Sequence, residues 1–115
     1  RTVVRVPEEA GMPDGMTVDA GGRLWVALWG GAAVHCYTPD GKLEDRVELP
    51  ATQVTACAFG GPGLAELFIT TSRETVEEGA QPEAGALFRY RPGVRGLPVL
   101  AYGEPSSRLP DVDPR

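Results

Sequence analysis

An all-β fold, arranged as about two blades of a β-propeller, is predicted for this sequence by three observations. Its apolar stretches are strand-sized and separated by turn signals; glycine and proline are abundant, at 15 and 11 of 115 residues; and a unit of short strands recurs along the chain. Residues 54–59 parallel 14–19, residues 67–70 parallel 24–27, and residues 86–90 parallel 33–37, at offsets of 40, 43 and 53 residues. Four-stranded units repeating at this spacing mark a propeller, in which each sheet is one blade and its innermost strand lines a central channel. A ring of six blades at about 40 residues each needs roughly 240 residues, so a chain of 115 cannot close one alone. A small autonomous β-sandwich is the alternative architecture, and the repeat argues against it.

Taken in order, residues 1–6 read as an extended run, the outer strand of a preceding blade. The chain begins with Arg1 and without a preceding turn, which suggests a cut inside something longer. A turn carrying Pro7, Gly11 and Pro13 follows, then a strand over 16–19, the turn Ala20-Gly21-Gly22, a strand over 23–28, the turn Trp29-Gly30-Gly31, a strand over 32–37, the turn Thr38-Pro39-Asp40-Gly41, and a strand over 43–49. That last strand is the most polar, as an outermost strand meeting water should be. The second unit comprises strands over 54–59, 67–70, 86–90 and 97–102, with a polar, acidic surface loop inserted at 72–84. Residues 1–103 therefore read as an incomplete propeller domain, and 104–115 as a Pro-rich mobile tail.

Charge and composition narrow the function classes. A formal net charge of -5, without clustered Lys or Arg, argues against nucleic acid. The longest apolar run, 24–34, is interrupted by Gly30-Gly31 and too short for a bilayer, so no membrane is expected and a cytoplasmic location is the default. Cys36 and Cys57 lack metal-ligand or redox spacing and read as small buried hydrophobes. The single histidine, His35, lies on an alternating strand and reads as a surface or edge residue.

The tripeptide Pro13-Asp14-Gly15 admits two readings. Proline fixes one φ and glycine frees the next link, so the backbone can hold Asp14 in one unusual shape at a strand mouth. The same tripeptide is also an ordinary turn, and a second copy stands at Pro39-Asp40-Gly41. Spacing alone leaves both readings open.

Pro13-Asp14-Gly15-Met16-Thr17-Val18-Asp19, followed by Gly22-Arg23-Leu24-Trp25-Val26-Ala27, closely resembles the C-terminal portion of the SMP-30/gluconolactonase/regucalcin family. Cys57-Ala58-Phe59-Gly60-Gly61, Phe68-Ile69-Thr70-Thr71-Ser72-Arg73 and Ala84-Gly85-Ala86-Leu87-Phe88 extend the resemblance in order and spacing. It implies a six-bladed propeller that hydrolyses a sugar lactone, with a divalent cation, Ca²⁺ or Zn²⁺, in the channel. Under the resemblance Asp14 is a metal ligand and the catalytic proton acceptor, whereas Asp40 remains a turn residue. The family's other ligands have no counterpart here, so the missing N-terminal blades of the same protein would supply them and the chain alone is expected to be inactive. Thr55, one position after the equivalent of Asp14, is expected at the channel as a substrate contact, or else as strand packing. Trp25 and Phe68 read as core between blades; Trp29 either joins them or edges the channel mouth as a second substrate contact. A calcium-binding or regulatory propeller without turnover is the alternative function, and a non-catalytic scaffold a third.

Overall fold

The computed structural model describes residues 4–98. After a 3₁₀ turn at Glu8–Ala10 the chain forms β1 (Met12–Val18), β2 (Leu24–Trp29), β3 (Ala33–Tyr37) and β4 (Leu43–Glu48). It continues through β5 (Val54–Gly60), a 3₁₀ turn at Pro62–Leu64, β6 (Glu66–Thr71) and β7 (Leu87–Tyr90). Strands β1 to β4 make one antiparallel sheet in chain order, and β5 to β7 make a second. The all-β architecture and the repeated meander agree with the pattern of turns in the sequence.

The uninterrupted apolar run of β2, Leu-Trp-Val-Ala-Leu-Trp, has a simple cause: both faces of the first sheet are covered. Trp25, Ala27, Val34, Cys36 and Val47 pack against Val54, Cys57, Leu67 and Ile69 of the second sheet. Phe59 adds an edge-to-face contact on Trp25, with ring centroids 5.9 Å apart. On the opposite face, Val26, Leu28, Ala33 and Tyr37 are covered by Val4, Val6, Ala10 and Leu24. By contrast β4 exposes every residue except Val47, as an outer strand should. The second sheet buries one face only: its other side leaves Ala58 and Leu87 exposed and Phe68 half-buried, so Trp25 and Phe68, expected to be equivalent, differ in burial.

Three further differences from the sequence reading have local causes. β1 begins at Met12 rather than Met16, because Met12 and Pro13 already pair with Trp29 and Leu28 before the register shifts between Pro13 and Met16. Proline is tolerated there because β1 is an edge strand, where no ladder donor is needed. Residues 4–6 carry no strand and lie as a cover on the first sheet, and residues 1–3 fall outside the described part. That cover buries His35, which is 5% exposed rather than a surface residue. Of the expected outer strand 97–102, residues 97 and 98 carry none and the rest, with the tail 104–115, lies outside the described residues.

Candidate functional site

β1 and β5 are the edge strands that lead each sheet, and both carry an irregularity near their N-terminal ends. In β1 it falls between Pro13 and Met16, which places Asp14 and Gly15 in a bulge; in β5 it falls between Val54 and Ala56, which isolates Thr55. A bulge re-aims side chains away from the regular alternation of a strand. The two bulges touch. A Cβ on Gly15 would lie 2.8 Å from the Ala56 Cα and 2.9 Å from the Thr55 carbonyl oxygen, so only glycine permits this approach. Asp14 and Thr55 thus sit on neighbouring strands at the same end of the two sheets.

Asp14 is exposed and, among the described residues, takes part in no ion pair. The Thr55 hydroxyl lies 2.6 Å from that of Thr70 on β6, so it faces the neighbouring strand. Trp29, at the end of β2, belongs to neither apolar cluster; it lines an open groove of about 570 Å³ with Val6, Glu8, Gly11, Met12 and Pro13. The groove therefore begins one residue from Asp14. Glu8, which the sequence reading did not single out, brings a second carboxylate to this end; its one sequence signal is its place in the turn that opens at Pro7 and leads to the Pro-Asp-Gly stretch.

The other titratable groups are structural. Asp19, at the far end of β1, is fully buried and accepts from the Gly21 and Arg23 amides at 2.8 and 3.0 Å and from the Trp25 indole at 3.0 Å. Burial opposes its ionisation, but these hydrogen bonds and the Arg23 guanidinium outweigh that and hold its pKa below 3.8. Asp40 accepts from the Thr38 hydroxyl within its turn and stays remote from β1. The His35 ring meets the Tyr37 hydroxyl at 2.8 Å; burial, reinforced by Arg46, lowers its pKa and keeps the imidazole neutral. Burial pushes both Cys36 and Cys57 thiols up to about 12, which removes them as nucleophiles or thiolate ligands at neutral pH. No group of three or more His, Cys, Asp or Glu side chains that could hold a metal ion occurs among the described residues. Asp14 fits one position of an oxygen-ligand site, and further ligands would have to come from elsewhere.

Comparison with known proteins places these features in context. Residues 1–73 match the SMP-30/Gluconolactonase/LRE-like region. The chain is 42% identical over 112 residues to the pentonolactonase XacC of Haloferax volcanii, and 40% identical over 107 residues to regucalcin of Danio rerio. These alignments cover 91% and 89% of this chain but only 36% of each relative, so the chain spans about a third of their length. Among solved structures, the calcium-binding protein regucalcin of Agrobacterium tumefaciens superposes with a TM-score of 0.77 at 34% identity, over 84% of this chain and 34% of that one.

Proposed function

Because this chain belongs to the SMP-30/gluconolactonase/LRE-like family, we propose that it is the two-blade portion of a metal-dependent sugar lactone hydrolase and that it contributes Asp14 to the cation site. The observation that carries this reading is the exposed Asp14 carboxylate on an edge-strand bulge, packed through Gly15 against the bulge that holds Thr55. A regular strand would direct this side chain by simple alternation; the bulge frees it from that alternation, and in a closed ring it would face the channel.

Asp14 would hold a divalent cation, Ca²⁺ or Zn²⁺, with oxygen ligands from blades outside this chain; an oxygen-only set favours the harder Ca²⁺. When bound, such a cation supplies Lewis-acid polarisation of the lactone carbonyl. One Asp14 oxygen would serve as ligand, and the second would accept a hydrogen bond from the attacking water, take its proton and pass it to the departing ring oxygen as the ester opens. Coordination lowers the basicity of the carboxylate, so its main contribution is to orient the water. Thr55, on the β5 bulge that packs against Gly15, would exchange the Thr70 partner of its hydroxyl for a substrate hydroxyl. Trp29 forms an apolar wall of the groove against which a sugar ring can lie.

In the full-length protein, Asp14→Ala is expected to reduce lactone turnover by about 10²–10⁴-fold, and EDTA to abolish it. The isolated 115-residue chain is expected to show negligible turnover. Strong turnover by that chain, or an active Asp14→Ala protein, contradicts the proposal. A second reading, a calcium-binding propeller without turnover, is favoured by the regucalcin relatives. Retained Ca²⁺ binding with no hydrolysis of any lactone by the full-length protein would select it.

A further inference from the structure

We propose that His35 makes the cover formed by residues 4–10 a pH-sensitive latch on the first sheet: over a neutral imidazole the cover stays seated, and over a protonated one it lifts. Lifting takes Val6 and Glu8 out of the wall of the groove that begins beside Asp14. The latch does not depend on the lactonase reading.

Side-chain alternation along β3 sends Val34 and Cys36 toward the second sheet and Ala33 and Tyr37 toward the cover, so His35, between the latter two, faces the cover as well. It is the single histidine of the chain, and it is buried there. Among the described residues its one hydrogen-bond partner is the Tyr37 hydroxyl, a neutral group on a side chain that is itself buried, and it takes part in no ion pair. Its cross-strand neighbours are Val26 on β2, a strand without charged residues, and Arg46 on β4. Glu48, opposite Ala33 on β4, is engaged by Arg46; Glu44 is held by Arg23, and Asp45 lies opposite Cys36. The cover's own charged residues, Arg5, Glu8 and Glu9, are exposed. A proton on the buried ring therefore faces a guanidinium and gains no carboxylate.

The cover is held loosely enough for that to matter. Among the described residues its backbone hydrogen bonds are internal, from Ala10 to the Pro7 carbonyl and from Gly11 to the Glu8 carbonyl, and none reaches the sheet. Only the partly buried Val4, Val6 and Ala10 seat it. Gly11, at φ 115°, joins it to β1 and supplies a hinge. A segment with few apolar contacts and no ladder opens at lower cost than the sheet beneath it. While the cover is seated, burial and then Arg46 hold the His35 pKa below 6.5; once it lifts, the ring meets water and titrates at 6.5. The lifted form thus binds the proton more tightly, so the seated form is fully favoured above 6.5 and loses ground as pH falls from there toward the lower seated value.

The test uses the full-length protein with a thiol reporter under the cover. Val26→Cys places one opposite His35 at nearly constant volume, and Ala33→Cys is a second site should the first misfold. Labelling by 4,4′-dithiodipyridine is followed by peptide mass spectrometry and divided by the rate of a free thiol at the same pH. Between about pH 7.5 and about pH 5.5 the corrected rate at the reporter is expected to rise about three- to tenfold, the ceiling for one proton bound over one pH unit below 6.5. Cys36 and Cys57, which face the other sheet, are expected to stay flat, and His35→Gln or His35→Phe to abolish the rise at the reporter. An unchanged rate at the reporter, a rise of equal size without His35, or a matching rise at Cys57 that marks acid unfolding of the whole sheet pair overturns the latch.

Discussion

The two sheets are built from the same meander but differ in how many faces they finish. The first is covered on both sides, by the second sheet and by residues 4–10, and its strands β2 and β3 are buried almost throughout. The second is covered only where it meets the first, and it leaves Leu87 63% exposed on the opposite side. Among the described residues nothing covers that side, and the chain spans about a third of the length of its relatives. The site proposed for Asp14 lies where the two sheets meet, at the touching bulges of β1 and β5.

That contrast can be broken by substitution. Leu28 is fully buried on the second face of the first sheet, and Leu28→Ala is expected to cost about 2–5 kcal/mol, read from urea unfolding. Asp19→Asn removes a charged acceptor with three close donors and is expected to cost about 1.5–3 kcal/mol at pH 7. Because the folded pKa of Asp19 is depressed, its stabilisation is complete above 3.8 and lost as pH falls through the lower folded value. The gap between wild type and Asp19→Asn should therefore close in acid, and a constant gap down to pH 2 would refute the ionised network. Gly15→Ala pushes a methyl group into the β5 backbone and is expected to cost about 1–3 kcal/mol while separating the two bulges. Leu87→Ala is expected to change the stability of this chain by less than about 0.5 kcal/mol. In the full-length protein, where another blade would cover that side, the same substitution is expected to cost about 2 kcal/mol or more.

Strand identity was legible because each turn carries its own signal, such as Pro39-Asp40-Gly41 between β3 and β4, and because β4 is the most polar strand, as an outer strand meeting water should be. What sequence could not supply was non-local. His35 is buried because residues 4–10 fold back over its face, a contact that strand periodicity does not encode. The bulge that aims Asp14 depends on Met12 and Pro13 pairing across to β2, whereas read locally Pro-Asp-Gly is simply a turn. Gln53, a polar residue beside a loop, is nevertheless buried, and its side chain donates to Thr75 more than twenty residues ahead. Asp14 is proposed on resemblance rather than spacing, since its own tripeptide occurs again at Asp40 in a plain turn.

The most direct test of the account is calorimetric titration of Ca²⁺ into the full-length protein and its Asp14→Asn variant, which keeps the shape of the side chain and removes its charge. The account predicts that the variant loses most of its cation affinity while its fold, followed by circular dichroism, is unchanged. Equal affinity in both proteins would contradict the assignment of Asp14 to the cation site.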